Sequence, residues 1–308
     1  MVEANFYNLI LLIFTLLLII FKLFPNRTLN LPPSPPSLPI IGHLHLLTQP
    51  VHEKLYTLSR KLGPIMLLRF GLRKVIIVSC SSVVEECFTK SNDIVLANRP
   101  QMPSPKHLHY NFISMSTAPY GHLWRSLRRF ASTELFSTTR LNSTSHSREH
   151  EVKLMCKQIL KESSQKVELK SWFFNLFCNV LTMSMMGKRY CGDIIDTGGS
   201  RFQEMMAELF RLVHSPYLGD FVPILAWIDF GGLQKEMVGL MKKIDLILNE
   251  VIEERRRVGS YESGIMLDKL LALQEQEPEL YTDEVIRAHI VVINYFLFHL
   301  VACLVGAK

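Results

Sequence analysis

Residues 6–24 read FYNLILLIFTLLLIIFKLF, and within a few positions the chain turns into LPPSPPSLPIIGHLHLL. An apolar run followed by a proline-rich neck constrains the chain more than any other feature. Asn8, Thr15 and Lys22 are the only polar side chains of the run. At about 1.5 Å of helical rise per residue, about 19 residues cross a hydrocarbon layer of about 30 Å, and Lys22 can snorkel to the headgroups. A cleaved signal peptide is the alternative. Against it, Glu3 stands where a basic leader would be charged, and no small-residue cleavage site follows. An uncleaved transmembrane helix is therefore expected. Lys22 and Arg27 flank its C-terminal side, which places the rest of the chain in the cytosol. Prolines 32, 33, 35, 36 and 39 exclude helix and favour an extended, semi-rigid spacer. A proline-rich ligand for a recognition domain explains less, because it ignores the run upstream.

The expected organisation is an anchor over 1–30, a hinge over 31–50, a folded body over 51–290 and an apolar tail over 291–308. VHEKLYTLSRKLG has helical spacing and stops at Gly63-Pro64. PIMLLRFG and KVIIVSC are β-rich and close enough for a hairpin. SSVVEECFTKSND has serines to cap a helix, Glu85 and Glu86 early and Lys90 late, in the sense the helix dipole favours. Beyond Pro119 helical patterns dominate, over 119–130, 146–163, 168–187, 200–213, 233–257 and 264–276. A small sheet followed by many helices predicts a mostly α (α+β) fold. The net charge of +6 favours an anionic lipid leaflet or an acidic protein as partner. No run interleaves basic with aromatic residues, which argues against nucleic acid. The six cysteines share no paired spacing and read as reduced thiols of a non-oxidising compartment.

PYGHLWRSLRRFASTELFS carries the most chemical information. Trp124 and Arg128 are four apart and share one helix face, while Arg125 and Arg129 form a second pair rotated by about 100°. An indole N–H and a guanidinium fork together suit a planar dianion, such as the propionates of a porphyrin. An arginine-rich amphipathic helix is also a common solvated face, and the residues alone leave both readings open.

The order and wording of several stretches resemble the plant membrane-bound cytochromes P-450, the haem-thiolate monooxygenases. They are the anchor and neck, GPIMLLRFG, VVEECFTKSNDIVLANRP, YGHLWRSLRRF, VELKSW, GKRY, GDFVPILAWIDFGGL and YTDEVI. Within that family the likeness is to the subfamily that includes isoflavone 2′-hydroxylase and related flavonoid hydroxylases, over residues 1 to about 290. The resemblance implies the N-terminal portion of the cytochrome P-450 fold and an endoplasmic reticulum membrane location. It also implies a haem whose propionates meet Trp124 and Arg128, and a small aromatic substrate. NADPH–cytochrome reductase would dock through Arg125 and Arg129. The loop around 98–118 and HSPYLGDFVPIL resemble parts that line or gate the substrate pocket.

Other motifs that the family needs are not found in the 308 residues: A-G-x-[DE]-T, and the loop F-x-x-G-x-R-x-C-x-G whose cysteine binds iron. Two fragments imitate lost pieces. EERRR contains E-x-x-R through Glu253–Arg256 and Glu254–Arg257, on a charged helix end that reads as a solvated face. GKRYCGD matches G-x-R-x-C through Gly187, Arg189 and Cys191, yet Ser184 stands for Phe and Asp193 for Gly. Neither Cys191 nor Cys303 is expected to bind iron. His43/His45 and His107/His109 read as surface or internally satisfied loop histidines, and no metal is expected on them. HIVVINYFLFHLVACLVGAK is long enough for a second span, but Asn294 and His299 inside it would be costly in lipid. It is expected to begin as the family's central helix and to depart into a foreign tail, by truncation, mis-splicing or gene decay. Two functions follow: a haem-dependent monooxygenase of flavonoid-like aromatics, or a membrane-bound remnant without catalysis.

Overall fold

The computed structural model describes residues 7, 11–16, 30–48, 50–89, 92–161, 168–191, 199–229, 231–259 and 264–304. Of the expected anchor, Tyr7 and residues 11–16 are helical and exposed, and the remainder lies outside the described residues. Among the described residues no helix is long and apolar enough to cross a membrane. The chain divides into two units, Met1–Leu96 with Leu218–Trp227, and Ala97–Tyr217 with Ile228–Lys308.

In the first unit, α1 (Val51–Leu62) ends at Gly63 and leads into β1 (Ile65–Phe70) and β2 (Arg73–Val78). The strands pair antiparallel from Ile65↔Val78 to Phe70↔Arg73, so Gly71-Leu72 makes the expected hairpin turn. Gly71 has φ 58°, and a Cβ there would collide with the Phe221 backbone, whose carbonyl accepts from Leu72 N at 3.0 Å. Only glycine tolerates both demands. The neck is sewn to this hairpin: Leu67 N donates to Pro33 O at 2.9 Å, and Gly42 bridges to Phe70. His43 is buried between them. Its Nδ1 accepts from Arg69 N at 2.7 Å and its Nε2 lies 2.9 Å from Pro35 O, so both ring nitrogens are satisfied within the chain. The next pattern splits into α2 (Ser81–Phe88) and α3 (Asn92–Leu96), and Cys80, not a serine, holds the N-cap position of α2. Lys90 lies outside the described residues.

The second unit is helical. It holds α4 (Pro103–Leu108), α5 (His122–Glu134), α6 (Thr138–Ser143), α7 (Ser145–Lys161), α8 (Leu169–Met186) and α9 (Gly199–His214). α10 (Pro223–Ile228) belongs to the first unit up to Trp227, and the second continues with α11 (Leu233–Val258), α12 (Met266–Gln276) and α13 (Asp283–Leu304). α11 buries Met237, Leu240, Met241, Ile244, Leu248, Val251 and Ile252, the stripe that a 3.6-residue period requires of a helix with one wet side. α13 differs: Val285 to Asn294 is buried almost all round, which makes it the central helix of this unit.

Two readings of the sequence are corrected here. The cysteines are not all free, because Cys178 and Cys191 form a disulfide, while Cys80, Cys87 and Cys156 are free. Gly187, at φ 72°, ends α8 in the left-handed region and turns the chain back. Asn179 then holds it: its Oδ1 accepts from Tyr190 N at 3.2 Å and Cys191 N at 2.9 Å, and its Nδ2 donates to Cys191 O at 2.9 Å. A turn and a buried amide bring the sulfurs together, and cysteine spacing shows neither.

The second correction concerns EERRR, which is a solvated face only in part: Glu253, Glu254 and Arg257 are exposed, but Arg255 and Arg256 turn to other helices. Arg255 makes a two-pronged ion pair with Asp268 of α12, at 2.8 and 2.6 Å, and that carboxylate is fully buried. Arg256 reaches Asp283 at the start of α13, Glu253 at 2.7 Å and Gln274 at 2.7 Å. The cluster ties α11 to α12 and α13. Its guanidinium holds the Asp283 carboxyl below the usual carboxylate range, with help from Gln274, against the opposing effect of burial.

Candidate functional site

Helix α5 starts at Gly121 and buries Leu127, Phe130 and Ala131. Phe130 meets His289 of α13 edge-on, with ring centroids 5.5 Å apart. That packing fixes the rotation of α5 about its axis, and the other side chains follow at 100° per residue. Trp124 sits at the margin of the buried stripe, half-buried, and Arg128 beyond it is exposed. The Arg128 guanidinium lies 5.1 Å from the Trp124 ring centroid, a cation–π contact, and the Tyr120 ring packs on the indole with centroids 5.4 Å apart.

Arg125 and Arg129 fall about 100° further round the helix. With His122, Ser126, Lys269 and Tyr281 they line a cavity of about 590 Å³ between α5 and α12. Arg125 also lies over the Tyr120 ring at 5.8 Å. Burial raises the Tyr281 phenol, with Glu277 adding to the shift, while a hydrogen bond with Ser126 and the Arg129 charge act the other way. Among the described residues, no ion pair involves Arg125, Arg128 or Arg129. The helix thus presents three guanidiniums without an ion pair among the described residues, one stacked on an indole on the first face and two around a cavity that Glu134 and Glu277 also line. A cation without a carboxylate partner, held by an aromatic plane, suits an anionic ligand.

That donor set fits the carboxylate edge of a porphyrin. Among the described residues no group of three or more His, Cys, Asp or Glu is placed to hold a metal. GKRYC has a structural role in this fold: Arg189 pairs with buried Glu151 of α7 at 3.1 Å, and Cys191 is buried in its disulfide. His109 is mostly buried and its pKa is lowered to about 4 by desolvation, with Ser116 Oγ 3.1 Å from its Nδ1.

Sequence reasoning missed His289. It is fully buried, neither ring nitrogen has a hydrogen-bond partner, and desolvation lowers its pKa to about 4. Its one signal was a histidine inside an otherwise apolar helical run.

A helical unit that offers cationic and aromatic side chains from one helix is compatible with many helical proteins, and comparison with known proteins narrows the class. The cytochrome P450 family model matches residues 32–295. Cytochrome P450 81Q32 of Catharanthus roseus is 43% identical over 285 residues, covering 90% of this chain and 56% of that protein. Cytochrome P450 81E8 of Medicago truncatula is 40% identical, with 94% and 60% covered. An isoflavone 2'-hydroxylase of Glycyrrhiza echinata is 40% identical, with 84% and 53% covered. The chain belongs to the cytochrome P450 family. It spans between about half and three-fifths of the length of these curated relatives.

Proposed function

We propose that this chain supplies the propionate-binding helix and much of the helical body of a haem-dependent monooxygenase acting on flavonoid- or isoflavonoid-like aromatics. The observation that carries the reading is the unpaired Arg128 stacked on Trp124, on a helix of a cytochrome P450 chain. Relatives named as isoflavone 2'- and 3'-hydroxylases support the substrate class. Arg128 and the Trp124 indole N–H would hold the propionates, and α5, braced by Phe130 on α13, keeps them in place. When bound, haem supplies the iron at which O2 is reduced by NADPH-derived electrons, one oxygen entering the substrate and the other leaving as water. Arg125 and Arg129 lie about 100° round α5 from Trp124 and Arg128, and that second basic face would suit docking of an acidic flavoprotein reductase. The apolar run at 6–24 would anchor the body to the cytosolic side of the endoplasmic reticulum. Protection of the residues after Arg27 from protease added outside sealed microsomes would reverse that topology.

A second reading is a polypeptide of residues 1–308 that contacts lipid or protein without catalysis. The composition of α13 favours it, because the helix buries Asn294, whose Oδ1 lacks a partner, and carries no acid–threonine pair. The carbon monoxide difference spectrum of dithionite-reduced membranes holding residues 1–308 separates the two. A thiolate-type Soret band supports catalysis, and its absence supports the second reading for this polypeptide. Loss of such a band in Cys191→Ser would reassign Cys191 as the ligand.

A further inference from the structure

Helix α7 carries a pattern that the haem reading does not use. Its first turns read SHSREHEV, and His146, Glu149 and His150 fit H-x-x-E-H, a spacing by which a helix presents two imidazoles and a carboxylate to zinc. Residues three and four apart are neighbours on a helix surface, with Cβ atoms about 5–6 Å apart, so the two rings and the carboxylate share one face. The packing of α7 decides where that face points. Glu151 is buried and pairs with Arg189 at 3.1 Å, and Met155 and Gln158, four and seven residues on, lie half-buried on the same side. At 100° per residue, His150 stands about 100° and His146 about 140° round from Glu151 in the same sense, and both are exposed.

Among the described residues, neither imidazole makes a hydrogen bond, an ion pair or a ring contact. Their rotamers are therefore free to converge on one point. The nearby charges leave room for a cation. Arg148 is turned back on the junction of α6 and α7, donating to Thr144 Oγ1 and to Leu141 O, both at 2.6 Å. The Lys153 ammonium lies 3.8 Å from Glu149, and both side chains are mostly exposed. An exposed pair of that kind contributes little, so the Glu149 carboxylate remains a counter-charge for a cation at His150. The positive end of the α7 dipole opposes such a cation, and Glu149 offsets it.

We propose that His146 and His150 form a surface site on α7 for a divalent transition-metal ion, with Glu149 as its counter-charge and water in the remaining positions. Imidazole nitrogens are donors that Cu2+, Ni2+ and Zn2+ accept, whereas Mg2+ and Ca2+ select oxygen. The role is binding and not hydrolysis. A hydrolytic zinc needs three protein ligands, and among the described residues no group of three or more His, Cys, Asp or Glu is placed to hold a metal. The consequence for the fold is mechanical. The two rings face one point only while 146–150 is helical, so a bound ion holds the first turns of α7 in place.

Titration of the 308-residue chain with Cu2+ in detergent micelles, without added haem, tests the site by calorimetry and electron paramagnetic resonance. Wild type should take up one more Cu2+ than the His146→Gln, His150→Gln double variant, with two nitrogens in its signal. Each single variant should weaken that ion at least about tenfold, since loss of an outer-shell partner alone costs as much. Ni2+ and Zn2+ should bind at the same residues more weakly than Cu2+. On saturation, amides of 146–154 should exchange more slowly in wild type and not in the double variant, while peptides of α11 stay unchanged. Ser147→His in the His150→Gln background should not restore binding, because adjacent residues diverge by about 100°. Equal Cu2+ uptake by wild type and the double variant would place the ion on other histidines and overturn the proposal. So would restoration by Ser147→His, or a wild-type signal without two nitrogens. Both histidines are exposed and Gln is a good helix former, so the variants keep the fold. No haem enters these measurements, and their failure leaves the haem reading standing.

Discussion

WRSLRRF and EERRRV are both arginine-rich stretches of long helices, and they end in opposite states. In the second, Arg255 and Arg256 are consumed: each meets a carboxylate of another helix, and the Asp268 carboxylate is fully buried. In the first, Arg125, Arg128 and Arg129 meet aromatic rings or a cavity, and no carboxylate pairs with them among the described residues. Charge neutralised inside the chain holds helices together, and charge left without a partner is available to a ligand.

The contrast is broken most forcefully at Arg255. Its replacement by alanine strands Asp268 in the core without a counter-charge, a loss of about 3–5 kcal/mol by analogy with other buried pairs. Urea unfolding of Arg255→Ala should show most of the cooperative transition gone. A variant within 1 kcal/mol of wild type, by an order-of-magnitude standard for exposed sites, would show that the pair is as dispensable as a surface bridge.

His289 sharpens the comparison from the other side, as a buried polar group with no partner. Its folded pKa of about 4 lies below the ordinary value of 6.5. The unfolded chain therefore binds this proton more readily, so stability falls as pH drops through 6.5 and continues to fall to about 4. His289→Leu should stabilise the chain by about 1–3 kcal/mol, since it removes an unsatisfied buried group, and should flatten the pH dependence in that window. Thermal melts at several pH values read both effects. An equal slope in the variant would assign the acid sensitivity to His109 or another group.

The smallest effect on stability belongs to Arg128. Arg128→Ala should move the unfolding midpoint by no more than about 0.5 kcal/mol, as for exposed positions outside any network, while weakening retention of added haemin by the same chain. A stability loss as large as that of Arg255→Ala would place Arg128 among the structural arginines.

Most long elements were legible from the sequence. The expected helices at 168–187, 233–257 and 264–276 appear as Leu169–Met186, Leu233–Val258 and Met266–Gln276, and the hairpin turns at Gly71-Leu72. Long amphipathic stripes and a glycine turn are local signals, so they survive without knowledge of the rest. The short helices Pro103–Leu108 and Thr138–Ser143 went unread, because a helix of a turn or two owes its stability to what it packs against. The site was half legible. The face shared by Trp124 and Arg128 follows from their spacing, but their freedom from any carboxylate among the described residues does not.

By itself, then, the sequence determined the helical class, the hairpin, the family likeness and the pairing of Trp124 with Arg128 on one face, all of which depend on residues near one another in the chain. Tertiary structure alone decided which arginines are spent on Asp268 and Asp283 and which stay open. It also decided that Cys191 closes on Cys178 and that the neck is sewn to β1. Each of these depends on a partner distant in sequence or on a turn whose direction is set by packing, and hydrophobic periodicity carries no record of which charged or polar groups will meet.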